Sequence, residues 1–74
     1  MMVELSIGEA IRRARKKRGI KSGELAKLTG YHPTVVSTWE NDRVVPKLTT
    51  VIDIADALGM SIDELIGHEV KEMK

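Results

Sequence analysis

The chain of 74 residues has no cysteine and no phenylalanine, only two prolines, and 3% aromatic residues, namely Tyr31 and Trp39. The missing cysteine excludes a disulfide framework and a thiolate zinc site. The shortage of aromatics leaves a core built from Ile, Leu, Val and Ala. Long apolar runs are absent too. The longest stretch free of Asp, Glu, Lys and Arg is Leu28–Trp39, twelve residues that include a proline, a histidine and several hydroxyls. A membrane helix needs about 20 apolar residues, so none is expected, and Met1–Ser6 has no basic-then-apolar leader layout. These absences describe a soluble, cytoplasmic protein. Its length fits one domain over 1–74, with a core over 6–67 and a tail over 68–74. A domain this small buries only about 60% of its unfolded surface, which keeps its stability margin thin.

What is present is charge, unevenly placed. Residues 1–47 carry ten Lys and Arg against five Asp and Glu, a balance of +5, whereas 48–74 carry two against six, a balance of −4. Seven cations fall between Arg12 and Lys21. Such a run suits a polyanion-binding face and equally suits an ordinary solvated helix face; charge by itself favours neither.

Glycines and capping residues divide the chain. Ser6 and Glu9 have the spacing of a capping box, and Ile7, Ala10, Ile11 and Ala14 follow at helical spacing up to Gly19, which predicts a helix from Ile7 to Arg18. A second helix spans Ser22–Thr29 and stops at Gly30, with Ser22 as the only plausible N-cap. Pro33 suits a first helical position and opens a third helix through Glu40. Its β-branched residues would look like a strand in isolation, and tertiary support is expected to override them. A fourth helix runs from Leu48 to Gly59, with Leu48, Val51, Ile52, Ala55 and Leu58 as its apolar stripe and Ile54 broadening it. Ser61 and Glu64 form a second capping box that opens a short helix up to Gly67. His68–Lys74 extends that helix or frays. The expected fold is all-α, with five short helices.

No catalytic or metal-binding pattern emerges. There is no glycine-rich phosphate loop, no HExxH, and no nucleophile–base–acid set. His32 and His68 lack a second ligand at metal spacing. No cofactor is expected, and an enzyme is excluded. Trp39 reads as a half-buried core residue in preference to a base-stacking platform. Tyr31 fits either packing on the turn or a bond to phosphate, and His32 either caps the third helix or faces a bound polyanion.

The segment Ser22–Glu40 carries the most information. Two short helices flank a turn with Gly30; Ala26 is small where the backbones must approach, and Val36 is placed for burial. These are the requirements of a helix-turn-helix, which presents the start of its second helix outward. Here the chain resembles the Xre/Cro-like, phage-repressor-like helix-turn-helix domains. The matching text runs in order: Ile7-Gly8, Ile11-Arg12 and Arg15, Arg18-Gly19-Ile20, Glu24-Leu25-Ala26, Gly30, Ser37, Trp39-Glu40-Asn41, Arg43, Pro46, Ile54-Ala55, Ala57-Leu58-Gly59 and Ser61-Ile62-Asp63-Glu64-Leu65.

The resemblance implies a sequence-specific regulator of prokaryotic or phage type, a small repressor whose partner is double-stranded DNA. Helix 33–40 would lie in the major groove, with Pro33, Thr34, Ser37 and Thr38 toward base edges. Lys21, Ser22, Asn41, Arg43 and Arg12 would lie along the DNA backbone. Arg15 and Glu40 would form a salt bridge tying the first helix to the end of the reading helix. Met60, Ile62 and Glu64 would form a homodimer interface, with Ser61 between them and Val44 and Val45 nearby.

Four positions depart from the family pattern. Lys21-Ser22 replace a hydroxyl–glutamine pair, Pro33 replaces a long polar residue, and Asp42 replaces a glycine. The reading face is left with short hydroxyls, so base contacts should discriminate modestly, and DNA shape and dimer spacing should contribute more. This weak reading face also leaves room for an alternative: a helix-turn-helix-fold module that binds a protein, as an antitoxin or adaptor does.

Overall fold

The computed structural model describes residues 6–66. The expected stop at Gly67, the tail over 68–74 and residues 1–5 lie outside the described residues. Five helices follow one another: α1 Ile7–Lys17, α2 Ser22–Thr29, α3 Pro33–Glu40, α4 Leu48–Leu58 and α5 Ile62–Ile66. The all-α expectation holds.

The start of α1 departs from the expected capping box. Ser6 Oγ accepts the Glu9 amide at 3.1 Å, but Glu9 stays exposed and forms no return bond among the described residues. The Ser6 hydroxyl donates instead to Asp42 Oδ2 at 2.7 Å, and Asp42 Oδ1 accepts the Gly8 amide at 3.0 Å. A carboxylate from the far end of α3 therefore caps α1 and meets its partial positive charge. The box at α5 is complete: Ser61 Oγ accepts from Glu64 N at 3.1 Å and Glu64 Oε1 from Ser61 N at 3.0 Å.

The expected cap at Ser22 is corrected. The chain leaves α1 through Gly19 at φ 71°, tucks Ile20 against the core, and reaches the extended cap conformation at Lys21. Ser22 is already helical, and no side chain caps α2. Gly30 ends α2 at φ 81°, where a Cβ would be strained. His32 Nδ1 accepts the Thr34 amide at 3.1 Å and so caps α3, with Pro33 at the first turn.

The largest fully buried side chains are Ile11, Leu25, Val36 and Ile54, one from each of the first four helices, and α5 adds the buried Leu65. Tertiary burial thus holds α3 helical despite its β-branched residues. Trp39 is buried, and Tyr31 meets it edge-on with ring centroids 5.0 Å apart. The Tyr31 hydroxyl lies 3.4 Å from Thr50 Oγ1 on α4, so Tyr31 packs between the turn and α4.

The stripe expected on α4 also shifts. Val51, Ile54, Ala55 and Leu58 are buried, whereas Leu48 is 68% exposed and Ile52 39%. Ile52 lies about 100° round the helix from Val51, outside the arc centred between Val51 and Leu58. Leu48 sits in the first turn at the edge of that arc. The opposite edge goes to Thr50, which is buried.

α1 crosses the end of α3 at close range. A Cβ on Gly8 would fall on the carbonyl oxygens of Trp39 and Glu40 and on Asp42 Oδ1. Gly8→Ala should lower stability by about 1–3 kcal/mol in urea denaturation. Alanine is the better helix former by about 1 kcal/mol, so an unchanged or raised midpoint would show that the approach is not tight.

Candidate nucleic-acid interface

Glu40 is the last residue of α3 and is only 6% exposed. A carboxylate so placed needs its charge met. Arg15 meets it with a two-pronged contact, Nε to Oε2 at 2.8 Å and Nη2 to Oε1 at 3.0 Å. The remaining prong, Nη1, donates to the Ile20 carbonyl at 2.9 Å, so one guanidinium joins α1, the α1–α2 turn and α3. Arg12 approaches from one turn earlier: Nη2 donates to the Glu40 carbonyl at 3.1 Å and to Asn41 Oδ1 at 3.3 Å, and Nε lies 3.7 Å from Glu40 Oε1.

This joint fixes which side of α3 faces outward. Val36, Trp39 and Glu40 point inward, and Pro33, Thr34 and Ser37 are exposed. Thr38 is half-buried, with its hydroxyl donating to the Val35 carbonyl at 2.6 Å. The sites expected to face bases therefore share one strip, with Thr38 at its edge. Asn41 and Arg43 are exposed just beyond it, and the Arg43 amide donates to the Thr38 carbonyl at 2.9 Å.

The cations divide into engaged and free. Arg15 and Arg12 belong to the Glu40 joint, and Arg12 keeps 41% of its side chain exposed. Arg18 Nη2 donates to the Gly59 carbonyl at 3.0 Å, linking α1 to the end of α4. Arg13, Lys16, Lys17, Lys21 and Arg43 are exposed. Lys21 stands at the start of α2, whose first-turn amides have no side-chain acceptor, with Ser22 half-buried beside them. Lys47 holds the same uncapped position at α4. Such helix starts offer N–H groups and a positive end to an anionic oxygen. Lys47 and Asp42 are absent from the expected site. An X-Lys-helix start without a cap is the signal for Lys47. A non-glycine where the pattern has glycine is the signal for Asp42, whose φ of 58° is the left-handed conformation the position demands.

Met60 and Ile62, expected at a dimer interface, are half-buried against the core at the α4–α5 junction, and Glu64 is exposed. The large apolar side chains left exposed among the described residues are Leu28, Val44, Val45, Leu48, Ile52 and Ile66. Among the described residues no cluster of side chains could hold a metal ion.

Residues 11–65 match the model of a family described as helix-turn-helix. The chain belongs to the helix-turn-helix family. It is 29% identical over 65 residues to the immunity repressor protein of Bacillus phage phi105, covering 88% of this chain and 45% of that one. Its fold is similar to the P22 c2 repressor solved in complex with a synthetic operator, with a TM-score of 0.73 and 32% identity over 84% of this chain and 94% of that one. It is also similar to the clp gene regulator ClgR of C. glutamicum, with a TM-score of 0.80 and 25% identity over 93% and 90% of the two chains. The chain spans less than half the length of the curated relatives it matches. In this helix-turn-helix, α2 and α3 are the paired helices, and the similar proteins named here are two phage repressors and a gene regulator.

Arg15→Ala strips Glu40 of its two-pronged partner and should destabilise the helix-turn-helix by about 2–4 kcal/mol. Arg15→Lys restores charge without the fork and should recover only part of the loss. Equal thermal midpoints for all three proteins would show that the pair contributes nothing.

Proposed function

We propose that the chain is a sequence-specific double-stranded-DNA-binding transcriptional regulator, a small repressor of the cytoplasm, with α3 in the major groove. The observation that carries this reading is the outward strip Pro33–Thr34–Ser37, held in place by the Glu40 joint and flanked by the free cations Lys21 and Arg43. The P22 c2 repressor, similar over most of the chain, was solved on an operator. Base contacts fall to Pro33, Thr34, Ser37 and Thr38, and backbone contacts to Lys21, Ser22, Asn41, Arg43 and the exposed part of Arg12. Among the described residues no helix is long and apolar enough to cross a membrane.

The deciding experiment is selection of binding sites from random duplex DNA at two salt concentrations. Each phosphate contact adds about 0.9 to the slope of log affinity against log salt. Arg43→Ala should weaken binding to all sequences alike and lower the slope by about 1. A changed sequence preference with an unchanged slope would overturn the backbone role of Arg43.

The regulator acts as a homodimer in this reading, because one helix-turn-helix spans few base pairs. Two α3 helices related by a two-fold axis enter successive major grooves ~34 Å apart. The pairing surface comprises Met60, Ile62 and Glu64 with Val44 and Val45 beside them. Val45 is 74% exposed, so Val45→Asp should abolish cooperative binding to a selected palindrome and leave the melting temperature unchanged. Ile62→Asp should lower both, since Ile62 also packs on the core. One protein per site, bound without cooperativity, would reject the dimer. The second reading, a protein-binding antitoxin or adaptor module, draws on the exposed apolar group Val44, Val45, Leu48 and Ile52; absence of any duplex binding would favour it.

A further inference from the structure

The outward face of α3 offers hydroxyls, and a hydroxyl has one proton to give. What it presents to a base depends on whether the protein has already claimed that proton. Thr38 and Ser37 are claimed in opposite senses. Thr38 Oγ1 donates to the Val35 carbonyl at 2.6 Å, so it turns outward only lone pairs and a methyl group. Ser37 Oγ accepts from Asn41 Nδ2 at 3.2 Å. The orientation of that amide is fixed by its other end, because Oδ1 faces Arg12 Nη2 at 3.3 Å and a guanidinium has donors only. Arg12 is held in turn by the Glu40 carbonyl at 3.1 Å. A relay of donors thus runs from Arg12, anchored on Glu40, through Asn41 to Ser37. Ser37 is exposed, and the side-chain bond it makes among the described residues is an accepted one, which leaves its proton to an outside acceptor.

We infer that this relay fixes the hydrogen-bond polarity of the reading face, with Ser37 a donor and Thr38 an acceptor. Asn41 sets the sense of Ser37 without touching a base. The inference rests on the proposed placement of α3 in the major groove. There guanine presents N7 and O6 acceptors, thymine an O4 acceptor, adenine both N7 and an amino donor, and cytosine an amino donor alone. With its proton free and one of its two lone pairs taken by Asn41, Ser37 favours a base with an acceptor over cytosine. Thr38 takes adenine or cytosine. Residue types alone do not reveal this preference, because an unclaimed Ser or Thr serves either sense.

Asn41→Asp tests the relay. A carboxylate accepts from Arg12 as the amide oxygen does, and it also accepts the Ser37 proton, so Ser37 then presents lone pairs. Selection from duplex DNA with a randomised core, run on the parent and on Asn41→Asp, should reverse the preference at one position per half-site. Guanine and thymine should lose about three- to tenfold against cytosine there, with adenine, which serves either sense, and the other positions keeping theirs. The added negative charge weakens binding to every sequence alike and moves no base preference. Ser37→Ala should flatten the same position. Thr38→Val, which keeps shape and methyl group, should flatten a different one. These two variants decide the matter if Asn41→Asp fails to fold, as thermal melting will show: an acceptor-bearing base where Ser37→Ala flattens supports the relay, and cytosine there overturns it. An Asn41→Asp protein that folds and keeps the parent's ratio of guanine and thymine to cytosine at that position overturns the inference and leaves DNA binding standing. A parent that binds no duplex overturns both.

Discussion

Glu40 ends α3 with its carboxylate almost wholly withdrawn from water, a placement tolerated only because Arg15 meets both oxygens and Arg12 flanks them. Hydrophobic contact brings α1 and α3 together without specifying their angle, since burial is roughly proportional to area and has no direction. A planar guanidinium on a planar carboxylate does specify direction. Because Arg15 also holds the Ile20 carbonyl, the same group fixes the turn that leads into α2. The two helices of the helix-turn-helix thus take their orientation from one ion pair behind them.

A second lock lies two residues further on. Asp42 accepts from Ser6 and Gly8, tying the end of α3 to the beginning of α1, while Arg12 and Arg15 tie it to the middle. Contacts at separate points along α1 resist rotation as well as sliding. The negative charge of Asp42 meets the positive end of a helix here. Gly8 admits the approach by having no side chain.

The helix bounds were legible because they are local matters: Pro33, Gly19, Gly30, Gly59 and the Ser61–Glu64 box act within a few residues. The Arg15–Glu40 pair was legible only through family resemblance, since the two lie 25 positions apart and periodicity says nothing about which charges meet. Where the expectation failed, a distant partner had intervened. The return half of the Ser6 box is missing at Glu9, while Asp42, 36 residues from Ser6, binds the Ser6 hydroxyl and the Gly8 amide. Leu48 and Ile52 read as core because apolar spacing reveals a stripe but not which arc of it finds a neighbour. The cap moved from Ser22 to Lys21 because Ile20 had to reach the core. Asp42 itself carried a sequence signal, a non-glycine at a left-handed position, but its partners did not.

These joints bear directly on the proposed reading surface. A long side chain such as Arg or Gln absorbs a misplaced helix by changing rotamer. Ser and Thr cannot: an O–H···O bond spans only 2.5–3.0 Å, and the oxygen is one bond from Cβ. A helix that reads through Thr34, Ser37 and Thr38 must therefore be set by its scaffold to within a fraction of an ångström. The core of Ile11, Leu25, Val36 and Ile54 supplies cohesion but not that registration. In so small a domain, buried charge is tolerated at the α1–α3 joint because it provides direction where short side chains have no reach of their own.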